Sequence, residues 1–152
     1  MSHITEVLEA IAAIQQPITV GDEQVNAAMP YFELQLSTSD LPACVNQLQG
    51  GPVKFSGAPV QSVSEKIVMY LVLQGYYEGQ SFAHNEEYVA TWRDAVLEAF
   101  GAHQRLGGAL PYILDATISD WDIEIADLGG SQWWTIRFDL QVRELFLQII
   151  GS

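Results

Sequence analysis

Residues 120–144, DWDIEIADLGGSQWWTIRFDLQVRE, constrain the fold more than any other stretch of the chain. Ile123 and Ile125 before ADLGGS, and Trp134, Ile136, Phe138, Leu140 and Val142 after it, recur at every second position. That period suits a β-strand and not a helix. Two such runs joined by a short glycine-containing loop predict a long antiparallel hairpin. With the turn about Leu128 and Gly129, Asp120 opposes Arg137 and Asp122 opposes Thr135, while Trp121 and Ile123 oppose Ile136 and Trp134. One face is then apolar and packs on helices, and the other is salt-bridged. Each cross-strand pair contributes about 0.2–1 kcal/mol.

The remainder supplies what such a hairpin needs to pack against. Ile4, Val7, Leu8, Ile11 and Ile14 fall at helical spacing, with Ser2 as N-cap and Pro17 just beyond the end. Residues 17–62 hold all but one of the prolines and read as a long irregular arm, with a short strand at 43–48, lying on a neighbouring molecule. Residues 62–77 are β-rich with a nearly continuous apolar centre, the mark of a central strand covered on both faces. The period then changes: Tyr88, Val89, Trp92, Val96 and Phe100 form one helical stripe, capped by Asn85 and ended by Gly101. The order predicts a single α+β domain over residues 1–152, an antiparallel sheet with a long C-terminal hairpin, packed on one face by two main helices.

Charge narrows the function. Nineteen acids against six bases give a net charge of −13, which excludes partners bound through broad phosphate neutralisation and disfavours anionic membrane surfaces. An acidic wall still suits a conduit through which DNA slides. No apolar run reaches the length of a membrane span, and the N-terminus lacks the basic region of a signal peptide, so a soluble protein of the cytoplasm is expected. Cys44, the only cysteine, cannot form an intramolecular disulfide and reads as a small buried hydrophobe.

The chemistry-bearing residues make no catalytic set. Asp120, Asp122 and Glu124 share a strand face, but neighbours there are roughly 7 Å apart, wide for coordinating one ion. His3, His84 and His103 lack ligand spacing, no nucleophile elbow occurs, and the glycine pairs are not phosphate loops. Catalytic, cofactor and metal residues are therefore all expected to be none. Trp133 and Trp134 must point to opposite faces. Trp134 continues the apolar face as core. Trp133 falls with Arg137 and Arg143 on the polar face, where it is either a subunit-interface anchor or a tryptophan covered by the 17–62 segment.

In order along the chain, ITEVLEAIAAI, LPACV, TWRDAVLEAFGAHQRLGG and SDWDIEIADLGGSQWWTIRFDLQVRE resemble the tail-terminator (tail-completion) proteins of tailed bacteriophages. The resemblance implies a non-enzymatic virion subunit in the tail and neck. Six copies would close a ring that caps the tail tube protein, ends its polymerisation and meets a head-completion or neck protein, with DNA passing through the channel. It also implies that Trp133, Arg137 and Arg143 meet a neighbouring subunit. Three rival readings are another head–tail neck protein, an acidic DNA-mimic inhibitor, and a small ligand-binding α+β domain. The inhibitor fits less well, because residues 50–73 contain only Glu65 as an acid against two lysines.

Overall fold

A computed structural model describes residues 4–30, 36–50, 53–55, 60–76, 82, 86–108 and 110–147. The expected helices are α1 (Ile4–Gln15) and α2 (Glu86–Gly101). Helix α1 buries Val7, Leu8, Ile11 and Ile14, and α2 buries Val89, Trp92, Val96 and Phe100, the stripes that their spacing defines. The proposed caps Ser2 and Asn85 lie outside the described residues. Gly101 is the last helical residue of α2 rather than the one after it.

Among the described residues eight strands accompany them. β1 (Thr19–Val20) and β2 (Glu23–Gln24) form a small hairpin. The main sheet contains β3 (Ala27–Met29), β4 (Ala43–Gly50), β6 (Val60–Gly75), β8 (Ser131–Leu147) and β7 (Ile113–Leu128), in that spatial order, with β5 (Val53–Phe55) paired to β6. All of its pairings are antiparallel except β3 with β4. This is the expected α+β architecture, with helices on one face of the sheet and a long C-terminal hairpin.

The segment 17–62 departs from the irregular arm that its prolines suggested. It holds β1 to β5 and the start of β6, and β3 and β4 extend the main sheet of their own molecule. The prolines punctuate these strands instead of preventing them; Pro42, for example, stands immediately before β4. Strand β6 is central, as its apolar run predicts: Ile67, Met69 and Leu71 are buried on the helix side and Val68 and Val72 on the other.

The main core lies between the helices and the sheet, with Trp92, Phe100, Phe138, Ile67, Met69 and Leu71 among its largest members. Cys44 belongs to it, and burial pushes the thiol up to about 12. A reciprocal pair of amides fixes α1 on the sheet. Gln15 Nε2 donates to Asn46 Oδ1 at 2.8 Å, and Asn46 Nδ2 donates to Gln15 Oε1 and to the Met29 carbonyl, each at 2.9 Å. Both side chains are buried, so full pairing matters: an unmatched buried amide costs about 1–3 kcal/mol. A smaller cluster of Ala43, Val45, Val72, Ala126, Leu128 and Trp133 occupies the opposite face of the sheet.

Candidate interaction surface on the terminal hairpin

The hairpin turn is built by Gly129 and Gly130, with φ of 66° and 83°. Two consecutive left-handed residues are what a two-residue turn of the I′ type requires, and glycine adopts them without Cβ strain. Leu128 therefore pairs with Ser131, Asp122 with Arg137 and Ile123 with Ile136. The register differs by two residues from the one expected with a turn about Leu128 and Gly129. A shift of two leaves every side chain on its predicted face, because the side-chain period is also two.

Burial differs from expectation more than facing does. Trp133 does lie on the face opposite the helices, but it is only 5 % exposed. Around it pack Val45, Val72, Ala126 and Leu128, with Ala27, Met29, Leu36 and Leu41 contributed by the 17–62 segment. Its indole N–H donates to the Leu128 carbonyl at 3.3 Å. Of the two readings of this residue, the tryptophan covered by its own chain is the one observed. Trp134, expected in the core, is only partly buried; it meets Tyr76 edge-on at 5.8 Å and Phe82 at 5.2 Å between ring centroids.

Both candidate arginines pair within the molecule. Arg137 Nη1 donates to Glu124 Oε2 at 2.9 Å, its Nη2 lies 3.5 Å from Asp120 Oδ2, and its Nε lies 3.3 Å from Asp139 Oδ1. The last contact is ionic without hydrogen-bond alignment, which leaves both atoms buried and unmatched. Burial works against the Arg137 charge, but Asp139, Glu124, Asp120 and Asp122 outweigh it and hold its pKa above the usual guanidinium value. Lys66 reaches Asp139 from β6 at 3.5 Å. Tyr70, opposite Arg137 on β6, is shifted upward by burial and then by Glu124 and Asp139. Arg143 pairs with Asp115, its register partner on β7, through both Nε and Nη2. The three residues singled out from sequence thus share one face but not one site. Trp133 sits in the apolar cluster, Arg137 in the acidic network, and Arg143 farther down the strand.

Asp120 and Glu124 are engaged by Arg137, while Asp122 turns to the backbone and accepts from the Ile123 N–H at 2.8 Å. Among the described residues no group of three His, Cys, Asp or Glu side chains is arranged to hold a metal ion. His3 and His84 lie outside the described residues, and His103 is exposed in the turn after α2.

The surface feature that the pattern of residues did not expose lies on the helix side of β7. Trp121, Ile123 and Ile125, meant for the helix-packed core, are 37 %, 42 % and 40 % exposed. Helix α2 covers β7 around Ala116 and Ile118 and runs out at Trp121, where the Arg93 guanidinium lies 4.7 Å from the ring centroid. Beyond it the stripe continues uncovered for roughly 14 Å along the strand. Full burial of a large apolar side chain is worth about 1.5–3 kcal/mol, so covering the exposed two-fifths of three of them is worth roughly 2–4 kcal/mol. Exposed ion pairs on the same hairpin are worth about 0–1 kcal/mol each. The apolar stripe therefore dominates what this surface offers a partner. Alternation alone could not reveal it, since the pattern says which face a residue takes but not how far the helix layer extends.

Comparison with protein-family models and with curated proteins returned no match.

Proposed function

We propose that this protein is a structural assembly subunit, a tail terminator that caps a phage-type tail tube as a closed ring and joins it to the neck. The observation that carries the reading is the uncovered apolar stripe Trp121–Ile123–Ile125 on the long outer strand of the hairpin. Three large apolar side chains on one open strand edge are a protein-binding feature rather than a cleft for a small molecule. The net charge of −13 suits a channel wall past which DNA moves without adhering. The resemblance of the helix and hairpin segments to tail terminators supplies the ring and its place between tube and head.

Particle imaging of the concentrated protein, alone and mixed with tail tubes, tests this reading. Closed rings of about six copies seated on tube ends are the expected outcome, since heterologous contacts that close give point-group symmetry. Monomers that ignore tube ends at every concentration would overturn it. Reversing Arg137 and Arg143 together is a poor test, because Arg137 holds three carboxylates of its own chain and its reversal disturbs the sheet itself.

A further inference from the structure

We propose that the outer edge of β7, from Asp120 to Leu128, takes up an extended strand from a different protein, one that alternates apolar residues with Lys or Arg. The inference deepens the assembly reading above and rests on it in taking this edge as a protein-binding surface.

Strand β7 ends the sheet, and among the described residues no strand pairs with its outer side. Every second backbone N–H and C=O of the strand therefore points away from β8; the Ile123 N–H is held by the Asp122 carboxylate, and the others offer a template for an added strand. Natural edges are commonly blunted by charged side chains, lysine above all, by proline or by bulges, and the charges on this edge are all acidic, which repels acidic strands but not basic ones. The sequence of β7, ILDATISDWDIEIADL, has neither lysine nor proline, and both of its register irregularities fall before Asp120. From there to the turn the edge is regular.

The two faces of that edge specify what would add to it. On the helix side stand Trp121, Ile123 and Ile125, which call for apolar side chains at alternate positions of the partner. On the other side stand Asp120, Asp122 and Glu124. Together with Asp139 they are four carboxylates, and the bases placed among them are Arg137 and Lys66, so a negative balance of two charges remains. The partner's intervening residues should be basic.

Charge also works against a second copy as the added strand. When one β7 edge pairs antiparallel with another the acidic faces coincide, and registers centred on residues 120–124 set carboxylates directly opposite carboxylates, a destabilising arrangement. Nor does the chain carry a complementary strand elsewhere. Of its six Lys and Arg residues the nearest pair is Arg137 and Arg143, six positions apart, and both lie within β8. Bases two positions apart would match the carboxylates of this face, and no stretch of residues 1–152 has them, so a strand of another protein fits the edge better. In the terminator reading that protein is the tube or the neck component rather than the ring neighbour.

Two capped nine-residue peptides test this, one alternating Lys with Val and Ile, the other carrying Glu in place of Lys. With the isotope-labelled full chain, the Lys peptide is expected to slow amide exchange across 120–128, and to weaken roughly tenfold as salt is raised from low to high ionic strength. The Glu peptide is expected not to bind. Asp122→Lys, an exposed position with no ion pair to lose, should weaken the Lys peptide and admit the Glu peptide. Ile123→Thr should weaken the Lys peptide while leaving its salt dependence intact. Equal binding of both peptides, protection confined to another part of the molecule, or no binding at millimolar peptide would overturn the inference. So would a self-dimer in sedimentation that protects 120–128 without any peptide. Rings on tube ends with no peptide binding would sink this inference alone. Peptide binding without rings or tube capping would sink the terminator reading and leave the edge a strand acceptor.

Discussion

At the scale of single residues, Arg137 organises the open face of the sheet. Its guanidinium serves Glu124, Asp120 and Asp139, of which Asp139 is the most buried. Replacing Arg137 by Met strands Asp139 with only Lys66 nearby, and the fold should lose about 1–3 kcal/mol. Adding Asp139→Asn to that variant should recover part of the loss, because the stranded charge is removed. Urea unfolding of the two single variants and the double variant measures both effects, and strictly additive losses would show that the two residues are not coupled. The sequence made the pairing of acids with Arg137 legible, since strand alternation puts Asp120, Asp122, Glu124 and Arg137 on one face. It did not reveal Asp139 and Lys66 as members of the same network. Asp139 follows Arg137 by two positions on the same strand, but Lys66 arrives from β6, and no local pattern tells which strand becomes the neighbour of β8. The Gln15–Asn46 pair was hidden for the same reason. Two polar residues 31 positions apart become legible only once helix α1 and strand β4 are in place.

At the scale of elements, the outcome of the hairpin turn shows what periodicity can and cannot specify. The alternating runs define faces, so Trp133 and Trp134 were separated correctly. The extent of each covering layer is not local information, and their burial came out reversed. Helix α2 ends its cover near Trp121 and leaves Ile123 and Ile125 about two-fifths exposed, while the proline-rich segment folds back over Trp133 through Leu36, Leu41 and its strands. The Gly129–Gly130 turn sets the register on which all these contacts depend. Gly130 has φ of 83° and open space where a Cβ would stand, so any cost of substitution comes from the backbone alone. Gly130→Ala should cost about 1–2 kcal/mol, and Gly130→Asn distinctly less, since asparagine tolerates the left-handed region. Thermal unfolding of both variants distinguishes them; equal losses would point to a steric cause instead of a conformational one.

At the scale of the whole molecule, an uncovered strand edge and a large negative charge work against each other in solution. The open edge of β7 invites association, and at neutral pH the acids of that edge, within a net charge of −13, oppose the pairing of one β7 with another. The sequence pI lies near 4.2, where that net charge vanishes. As the pH falls toward that value the overall repulsion between copies fades, and with it the obstacle to pairing β7 with β7. The chain should then pass from dispersed to sheet-rich aggregates while its helices remain folded. Light scattering together with amide infrared spectra across pH 7 to 4 would register the change, and Ile123→Lys, which puts a cation into the apolar stripe, should delay it. Aggregation that is indifferent to this substitution would place the sticky surface elsewhere. The feature that equips the molecule to receive a foreign strand thus also makes acidity a hazard to it, and its abundance of carboxylates serves as a colloidal safeguard for an edge that has to stay open.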